Sequence, residues 1–267
     1  MSGDRRTRLI VLTCMEREIA SRCLPALVAN PALDVAMVVL AHGGSPNASR
    51  SFWRKVRKIA RIGPLGAWNG VKMRAWYQDH EAEPIGPLCR RLGVRFEETP
   101  YINCDRTRDL FREADADLGL SLGNGYIAPS VFTIPRKGMI NIHTEILPDY
   151  QGAQSVIWPI YDGRGETGFT IHQIAKRIDG GDILYQERYP IEFRATLGET
   201  VARMMAHSRV RVPQAFSHVC EHYDELRSKA STQPIGHHYT TPTYWQYRRM
   251  VRNHAELART GADSHSK

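Results

Sequence analysis

Residues 8–40 read RLIVLTCMEREIASRCLPALVANPALDVAMVVL, and the succession of elements inside them decides the fold. Arg8 to Thr13 (RLIVLT) is a continuous apolar run, the pattern of a strand buried on both faces. A helical stretch follows over roughly Glu16 to Ala29, and Asp34 to Leu40 (DVAMVVL) reads as a second buried strand. Strand, helix and strand within about 30 residues make the βαβ unit of a parallel sheet.

Outward from this unit the same logic continues. Phe52, Val56 and Ile59 recur at helical spacing with Trp53 beside them, so an amphipathic helix is predicted, ended by Gly63-Pro64. Asp79 to Leu92 is expected to be helical, Val94 to Glu97 to be a third strand, and residues 105–115 to be helical again. Asp117 to Leu122 and Met139 to His143 (MINIH) resemble strands that end in loops; Phe169 to Ile174 and Ile183 to Tyr189 continue the second half. Thr196 to Arg227 is long and helical, with Val201, Met204, Met205, Val210 and Val212 as apolar positions and Pro213 interrupting or kinking it. Ser228 to Thr243 is expected to be extended or a loop, Tyr244 to Leu257 a short basic helix, and the last ten residues disordered. The predicted class is α/β: a Rossmann-like, mostly parallel twisted sheet flanked by helices, with a small, mainly helical C-terminal extension. The expected division is a catalytic domain over 1–195, its N-terminal βαβ part reaching about 115 and its second part covering about 116–195, followed by the extension over 196–267.

Composition narrows the setting. Hydrophobic residues are 42% of the 267, enough for a core, and no apolar run approaches the roughly 18 to 20 residues of a membrane-spanning helix. The start, MSGDRRTRLIVLTC, has too short an apolar stretch for a signal peptide. Cys14, Cys23, Cys89, Cys104 and Cys220 are scattered and form no C-x-x-C pair, so neither a disulfide framework nor a structural zinc is expected, and a reduced cytoplasmic location fits. The net charge of +8 is partly local: Arg50, Arg54, Lys55, Arg57, Lys58, Arg61, Lys72 and Arg74 fall in one stretch without an acidic residue. Such a block attracts phosphates, acidic lipids or nucleic acid, or is simply a solvated helix face.

The chemistry concentrates between Gly123 and Leu184, in GNGYIAP, GMINIHTEILPDYQGAQSVIW and ETGFTIHQIAKRIDGGDIL. Asn141 and His143 form N-x-H, Leu147-Pro148 follows, Thr167-Gly168-Phe169-Thr170 forms T-G-x-T, and Asp179-Gly180-Gly181 closes the series. N-x-H alone would match any such pair, and D-G-G alone is more often a turn. In this order and spacing they resemble the folate-dependent formyltransferase family, which includes glycinamide-ribonucleotide, methionyl-tRNA and sugar-nucleotide N-formyltransferases. The resemblance covers residues 115–190 well and the N-terminal part weakly.

The resemblance implies 10-formyltetrahydrofolate as co-substrate, no metal, and Asn141, His143 and Asp179 as the catalytic residues. The residue types suit that chemistry. A neutral amine attacks a formyl carbon, and negative charge develops on the formyl oxygen. Asn141 donates an amide N–H to it, while His143 donates as well or shuttles the proton. N-x-H on a strand puts both side chains on one face. Asp179 is expected to pair with His143, raise its pKa and position water. In this family the pterin lies between two backbone segments, which by position are Asn124 to Ala128 and Ile174 to Asp182. The implied binding residues are thus Asn124, Gly125, Tyr126, Ile127, Ala128, Ile174, Ile178 and Asp182, with Tyr126 and Ile127 as apolar wall. His172 either lines the site or is a satisfied structural histidine.

Where family members carry Pro-Ser or Gly-Ser after the histidine, this chain has Thr144-Glu145, and Gln151-Gly152 replaces an Arg-Gly. Glu145, Gln151 and Gly152 are accordingly expected at the amine pocket. Thr13-Cys14-Met15 lacks the glycine-rich phosphate turn of the purine enzymes, and residues after 195 read as helices rather than the barrel that accompanies tRNA formylation. An amino-sugar nucleotide is the amine expected by elimination, methionyl-tRNA and glycinamide ribonucleotide being the alternatives, and nucleic acid is not an expected partner. A homodimer is open to the chain, as is a membrane-surface role for Ser51 to Ile62. Outside the class stands a non-catalytic nucleotide-binding α/β protein; a dehydrogenase is disfavoured because TCMEREIAS after the first strand lacks G-x-G-x-x-G.

Overall fold

A computed structural model describes residues 5–43, 48–152 and 154–264; side chains are described for these except 48–52, 54, 55 and 261–264. β1 (Thr7–Thr13), α1 (Ile19–Ala29) and β2 (Leu33–Ala41) make the predicted βαβ unit, with β1 and β2 parallel. Then come α2 (Ala48–Arg74), α3 (Ile85–Leu92), β3 (Phe96–Thr99), α4 (Asp105–Ala114), β4 (Leu118–Ser121), α5 (Pro129–Phe132) and β5 (Met139–His143). β6 (Gln151–Gly152), α6 (Ile157–Tyr161), β7 (Glu166–Gln173), β8 (Ile183–Pro190), α7 (Leu197–Glu221), α8 (Tyr223–Ser228), β9 (His238–Tyr239) and α9 (Tyr244–Ser264) complete the chain.

Seven strands form one sheet in the order β3-β2-β1-β4-β5-β7-β8. The first five are parallel, and β7 and β8 are added antiparallel. The order runs outward from β1 in both directions, so the carboxyl ends of β1, β4 and β5 border the crevice where such sheets place their ligands. Alternation along the strands splits the core. Leu9, Val11, Val38, Leu40, Leu120, Ile140 and Phe169 pack on one face, with α1 and α7 over them. Ile10, Leu12, Met37, Val39 and Met139 pack on the other, with Leu110 and Phe111 of α4.

Several local expectations change. Asp79 to Pro84 is not helical. The residue before a proline resists the α conformation, and Asp79 is buried as a bidentate partner of Arg22, at 2.8 and 2.9 Å. Gly63 (φ 73°, ψ 168°) ends the first helical stretch of α2 as expected, and Pro64 opens a second one that runs to Arg74. Val56 and Ile59 are exposed, and Ile62 and Met73 are the positions that turn inward. The side chains of Phe52, Arg50, Arg54 and Lys55 lie outside the described residues. Pro213 leaves α7 continuous, since Val212, Ala215 and Phe216 around it are buried in the main core and tertiary packing outweighs propensity. The helix breaks at His222 instead. α9 continues to Ser264 where disorder was expected, and residues 265–267 lie outside the described residues.

The division at 195/196 falls inside one core. α7 begins with a capping box between Thr196 and Glu199, and its Val201, Met204, Phe216, Val219 and Cys220 share a cluster with Leu24 and Leu27 of α1. Further on, β9 pairs with β6, Gln151 against His238 and Gly152 against Tyr239. Among the described residues no helix is long and apolar enough to cross a membrane.

Candidate functional site

β5 presents Met139, Asn141 and His143 to one face and Ile140 and Ile142 to the opposite core, as alternation requires. β7 runs antiparallel beside it and sets His172 opposite Asn141 and Thr170 opposite His143. Cross-strand partners share a face, so Asn141 Nδ2 comes within 3.3 Å of His172 Nε2. The other ring nitrogen of His172, Nδ1, lies 2.8 Å from the Gln173 carbonyl. A carbonyl only accepts, so Nδ1 carries the hydrogen and Nε2 is a bare acceptor for the Asn141 amide. Burial pushes the His172 pKa down to about 4, against the pull of the Asp179 charge, and keeps the ring neutral.

Asp179 stands on the loop after β7 in a left-handed conformation, φ 50°, followed by Gly180-Gly181. A Cβ on Gly181 would lie 1.8 Å from the Gln173 carbonyl oxygen, so the loop can fold back on the strand only with glycine there. The Gly152 N–H donates to Asp179 Oδ2 at 3.1 Å, and Gln151 Nε2 donates to the Asp179 carbonyl at 3.4 Å. Gly152 has its own constraint: φ is 126°, and a Cβ would meet the Tyr239 carbonyl oxygen at 1.9 Å. Asp179 Oδ2 is 3.7 Å from His143 Nδ1, and Asp179 Oδ1 is 3.8 Å from His172 Nε2. His143 Nε2 donates to the Tyr150 carbonyl at 2.6 Å. The nitrogen of His143 that is free to take or give a proton is therefore Nδ1, on the Asp179 side.

These groups form one wall of a cavity of about 370 Å³. Asn141, His143 and Asp179 line it together. So do Asn124, Gly125, Tyr126 and Ile127 after β4, Ile174 and Ile178 after β7, and Gly152. Four other expected residues are not brought to it. Ala128 donates its N–H to Asn103 Oδ1 instead. Asp182 turns away to Arg227, at 3.0 Å. Gln151 is buried behind Asp179, and Glu145 is buried beneath the loop. His172, for which lining the site was one of the two readings, does line the cavity, and Arg177 and His238 join it unexpectedly. The tripeptide T-I-H in β7 carried a signal for His172, since every second residue of that strand shares the face of Thr170. His238 had none, because only the β6–β9 pairing brings it here.

Glu145 explains how this loop keeps its shape. Its Oε1 accepts from the Val156 N–H at 2.6 Å and from Thr167 Oγ1 at 2.7 Å, and its Oε2 from the Ile146 N–H at 3.1 Å. Burial pushes its pKa up to about 7 in spite of those three donors. Val156 has φ 67° and ψ −43°, and the Ile157 N–H reaches back to the Ser155 carbonyl at 2.7 Å. That is a γ-turn with positive φ, rare and strained, centred on a β-branched residue. Such conformations cost on the order of 1–3 kcal/mol and persist when their surroundings over-determine them.

The cavity suits a flat heteroaromatic ligand. Tyr126 and Ile178, which line it, stand 54% exposed, and Asn124 Oδ1 is buried without a partner among the described residues. A ring with N–H donors would cover the first two and satisfy the third.

Residues 105–216 match the formyl transferase family. A GDP-perosamine N-formyltransferase of Brucella melitensis is 35% identical over 138 residues, 51% of this chain and 53% of that protein. A methionyl-tRNA formyltransferase of Deinococcus radiodurans is 36% identical over 135 residues, 47% of this chain and 42% of that protein. The chain thus spans about half the length of the curated relatives it matches. In fold it is similar to an N-formyltransferase of Helicobacter canadensis solved with folinic acid and dTDP-3-aminofucose, with TM-score 0.56, 14% identity, and coverage of 94% of this chain and 80% of that one. It is also similar to glycinamide ribonucleotide transformylase 1 of Symbiobacterium toebii, with TM-score 0.53, 18% identity, and coverage of 82% and 90%.

Proposed function

We propose that this chain, whose residues 105–216 match the formyl transferase family, is an N-formyltransferase that passes the formyl group of 10-formyltetrahydrofolate to the primary amine of an amino-sugar nucleotide. The observation that carries the reading is the convergence of Asn141, His143 and Asp179 on one wall of the cavity. The folate supplies an activated one-carbon group at the formyl oxidation level; the side chains supply charge stabilisation and proton movement. Asn141 commits one amide hydrogen to His172 and keeps the second for the oxygen on which negative charge develops. His143 takes the proton of the attacking amine at Nδ1 and returns it to the departing nitrogen, and Asp179 stabilises the ring while it is charged. Asn124, Gly125, Tyr126, Ile127, Ile174 and Ile178 would hold the pterin.

The sugar-nucleotide part rests on three supports. A GDP-perosamine enzyme stands among the relatives, and a fold neighbour was solved with dTDP-3-aminofucose. Beside the first cavity is a second of about 360 Å³, bordered by Arg61, Tyr161, Tyr239 and His238, and His238 lines both. Arg61 comes from the basic block and offers a phosphate partner next to aromatic rings.

The test is to mix purified protein with 10-formyltetrahydrofolate and a panel of amino-sugar nucleotides, with methionyl-tRNA and glycinamide ribonucleotide as further arms, and follow tetrahydrofolate release. Turnover with a sugar nucleotide is expected, and His143→Ala is expected to abolish it with folding unchanged. Full turnover by His143→Ala would overturn the mechanism; turnover with only another amine would move the acceptor assignment.

A further inference from the structure

Glu145 touches neither the cavity nor any reacting atom, yet it lies two residues after His143 and reaches the far side of the catalytic loop. We infer that Glu145 is a positioning residue, a latch whose buried carboxylate holds Val156 in its γ-turn and so fixes β6, the element that presents Gly152 to Asp179. Only the kinetic part of the test rests on the formyl-transfer reading.

The argument starts from the Val156 N–H. Val156 is 2% exposed, so water cannot replace a lost acceptor, and Glu145 Oε1 is the acceptor it has, at 2.6 Å. The turn around it is clamped on both sides. Ser155 Oγ donates to the Thr144 carbonyl, the residue before Glu145. The Ser155 carbonyl accepts from Tyr77 Oη at 2.8 Å as well as from the Ile157 N–H. At the strained residue itself Glu145 holds the N–H, while the Val156 carbonyl accepts from the Ile160 N–H at 3.4 Å, inside the following helix. The second Glu145 oxygen holds the Ile146 N–H at 3.1 Å, and Thr167 of β7 donates to the first. The latch therefore joins the segment leaving β5, the start of α6 and β7. The short run between these anchors contains Gly152, whose N–H donates to Asp179 Oδ2 at 3.1 Å, and the same Asp179 oxygen is 3.7 Å from His143 Nδ1. Slack at Val156 passes along this run to the carboxylate that faces the histidine.

Glu145→Leu conserves volume and removes the acceptor. Its kcat is expected to fall by roughly ten- to a hundredfold, the range an ångström of misplacement causes, while KM for the folate changes little. Amide hydrogen exchange across 151–157 is expected to accelerate with it. The decisive variant is Glu145→Leu combined with Val156→Gly. Glycine adopts this conformation without strain, so kcat is expected to recover by several-fold although the double variant, lacking the buried valine, melts earlier. A role in stability alone would lower kcat no further than melting explains and would never be rescued by the less stable double variant. Glu145→Gln keeps one acceptor oxygen, is expected to show the same order with smaller amplitude, and serves if the leucine variant does not fold. Unchanged kcat and exchange in Glu145→Leu, or no recovery in the double variant, would overturn the latch. If the unaltered protein releases no tetrahydrofolate with any amine, the formyl-transfer reading fails, and the exchange data still decide whether Glu145 holds the loop.

Discussion

Asn141 and His172 face each other across two antiparallel strands, with the amide nitrogen 3.3 Å from an imidazole nitrogen that bears no hydrogen. An asparagine that must donate to a reacting oxygen can point its amide either way. His172 removes the choice, because a bare Nε2 accepts only the NH₂ end. His172→Leu is therefore expected to lower kcat by roughly tenfold or somewhat more, less than the hundred- to thousandfold of deleting a donor outright. His172→Gln, with its own acceptor oxygen, should recover part of the loss. Equal kcat for His172→Leu and the unaltered protein would show that Asn141 orients itself.

Two buried groups give the fold opposite dependences on pH. His172 titrates at about 4 when folded and at 6.5 unfolded. Between these values the unfolded chain binds a proton that the folded one refuses, so this residue's contribution to stability falls as pH drops from 6.5 towards 4. The loss is on the order of 3 kcal/mol by proton linkage. Glu145 titrates at about 7 when folded and 4.5 unfolded, so its contribution falls as pH rises from 4.5 towards 7. The two offset each other in the unaltered protein. Urea unfolding of His172→Gln across this range should uncover a stability that declines with rising pH; a slope matching that of the unaltered protein would contradict the assignment.

Asp179 is bound to its loop through the backbone at Gly152 and faces His143 through the same carboxylate oxygen. Asp179→Asn keeps the shape and removes the charge that, in the proposed mechanism, stabilises protonated His143. A fall in kcat of about a hundred- to ten-thousandfold is expected, with folding intact. A pre-steady-state measurement showing that formyl transfer itself keeps its rate would rule this role out.

Gly152→Ala puts a methyl group where the Tyr239 carbonyl oxygen would be 1.9 Å away, at a φ of 126° that alanine resists. β6 and β9 must part. Loss of activity should accompany a melting temperature lowered by several degrees, the usual response of a domain this size to about 1–3 kcal/mol. Crystals of an active Gly152→Ala variant with β6 and β9 still paired would refute this.

The sequence speaks clearly where one strand or one turn decides the outcome. Leu9 to Thr13 and Met37 to Leu40 are buried on both faces as their unbroken apolar pattern demands, and MINIH puts Asn141 and His143 on a single face because strands alternate. It speaks poorly where a distant segment decides. Glu145 looks like a polar loop residue until Thr167 of β7 and the Val156 turn close over it. Asp182 lies in the motif yet answers to Arg227, in α8. His238 reaches the cavity only because β9 finds β6.

That two-residue pairing also bears on the order of assembly. Gln151 and Gly152 hydrogen-bond to residues synthesised much later, His238 and Tyr239, and contacts so far apart in sequence form slowly because the intervening chain must first be ordered. The sheet, α1 and α7 can settle before them. Catalytic competence should accordingly lag behind compaction during refolding, arriving when the last ribbon docks.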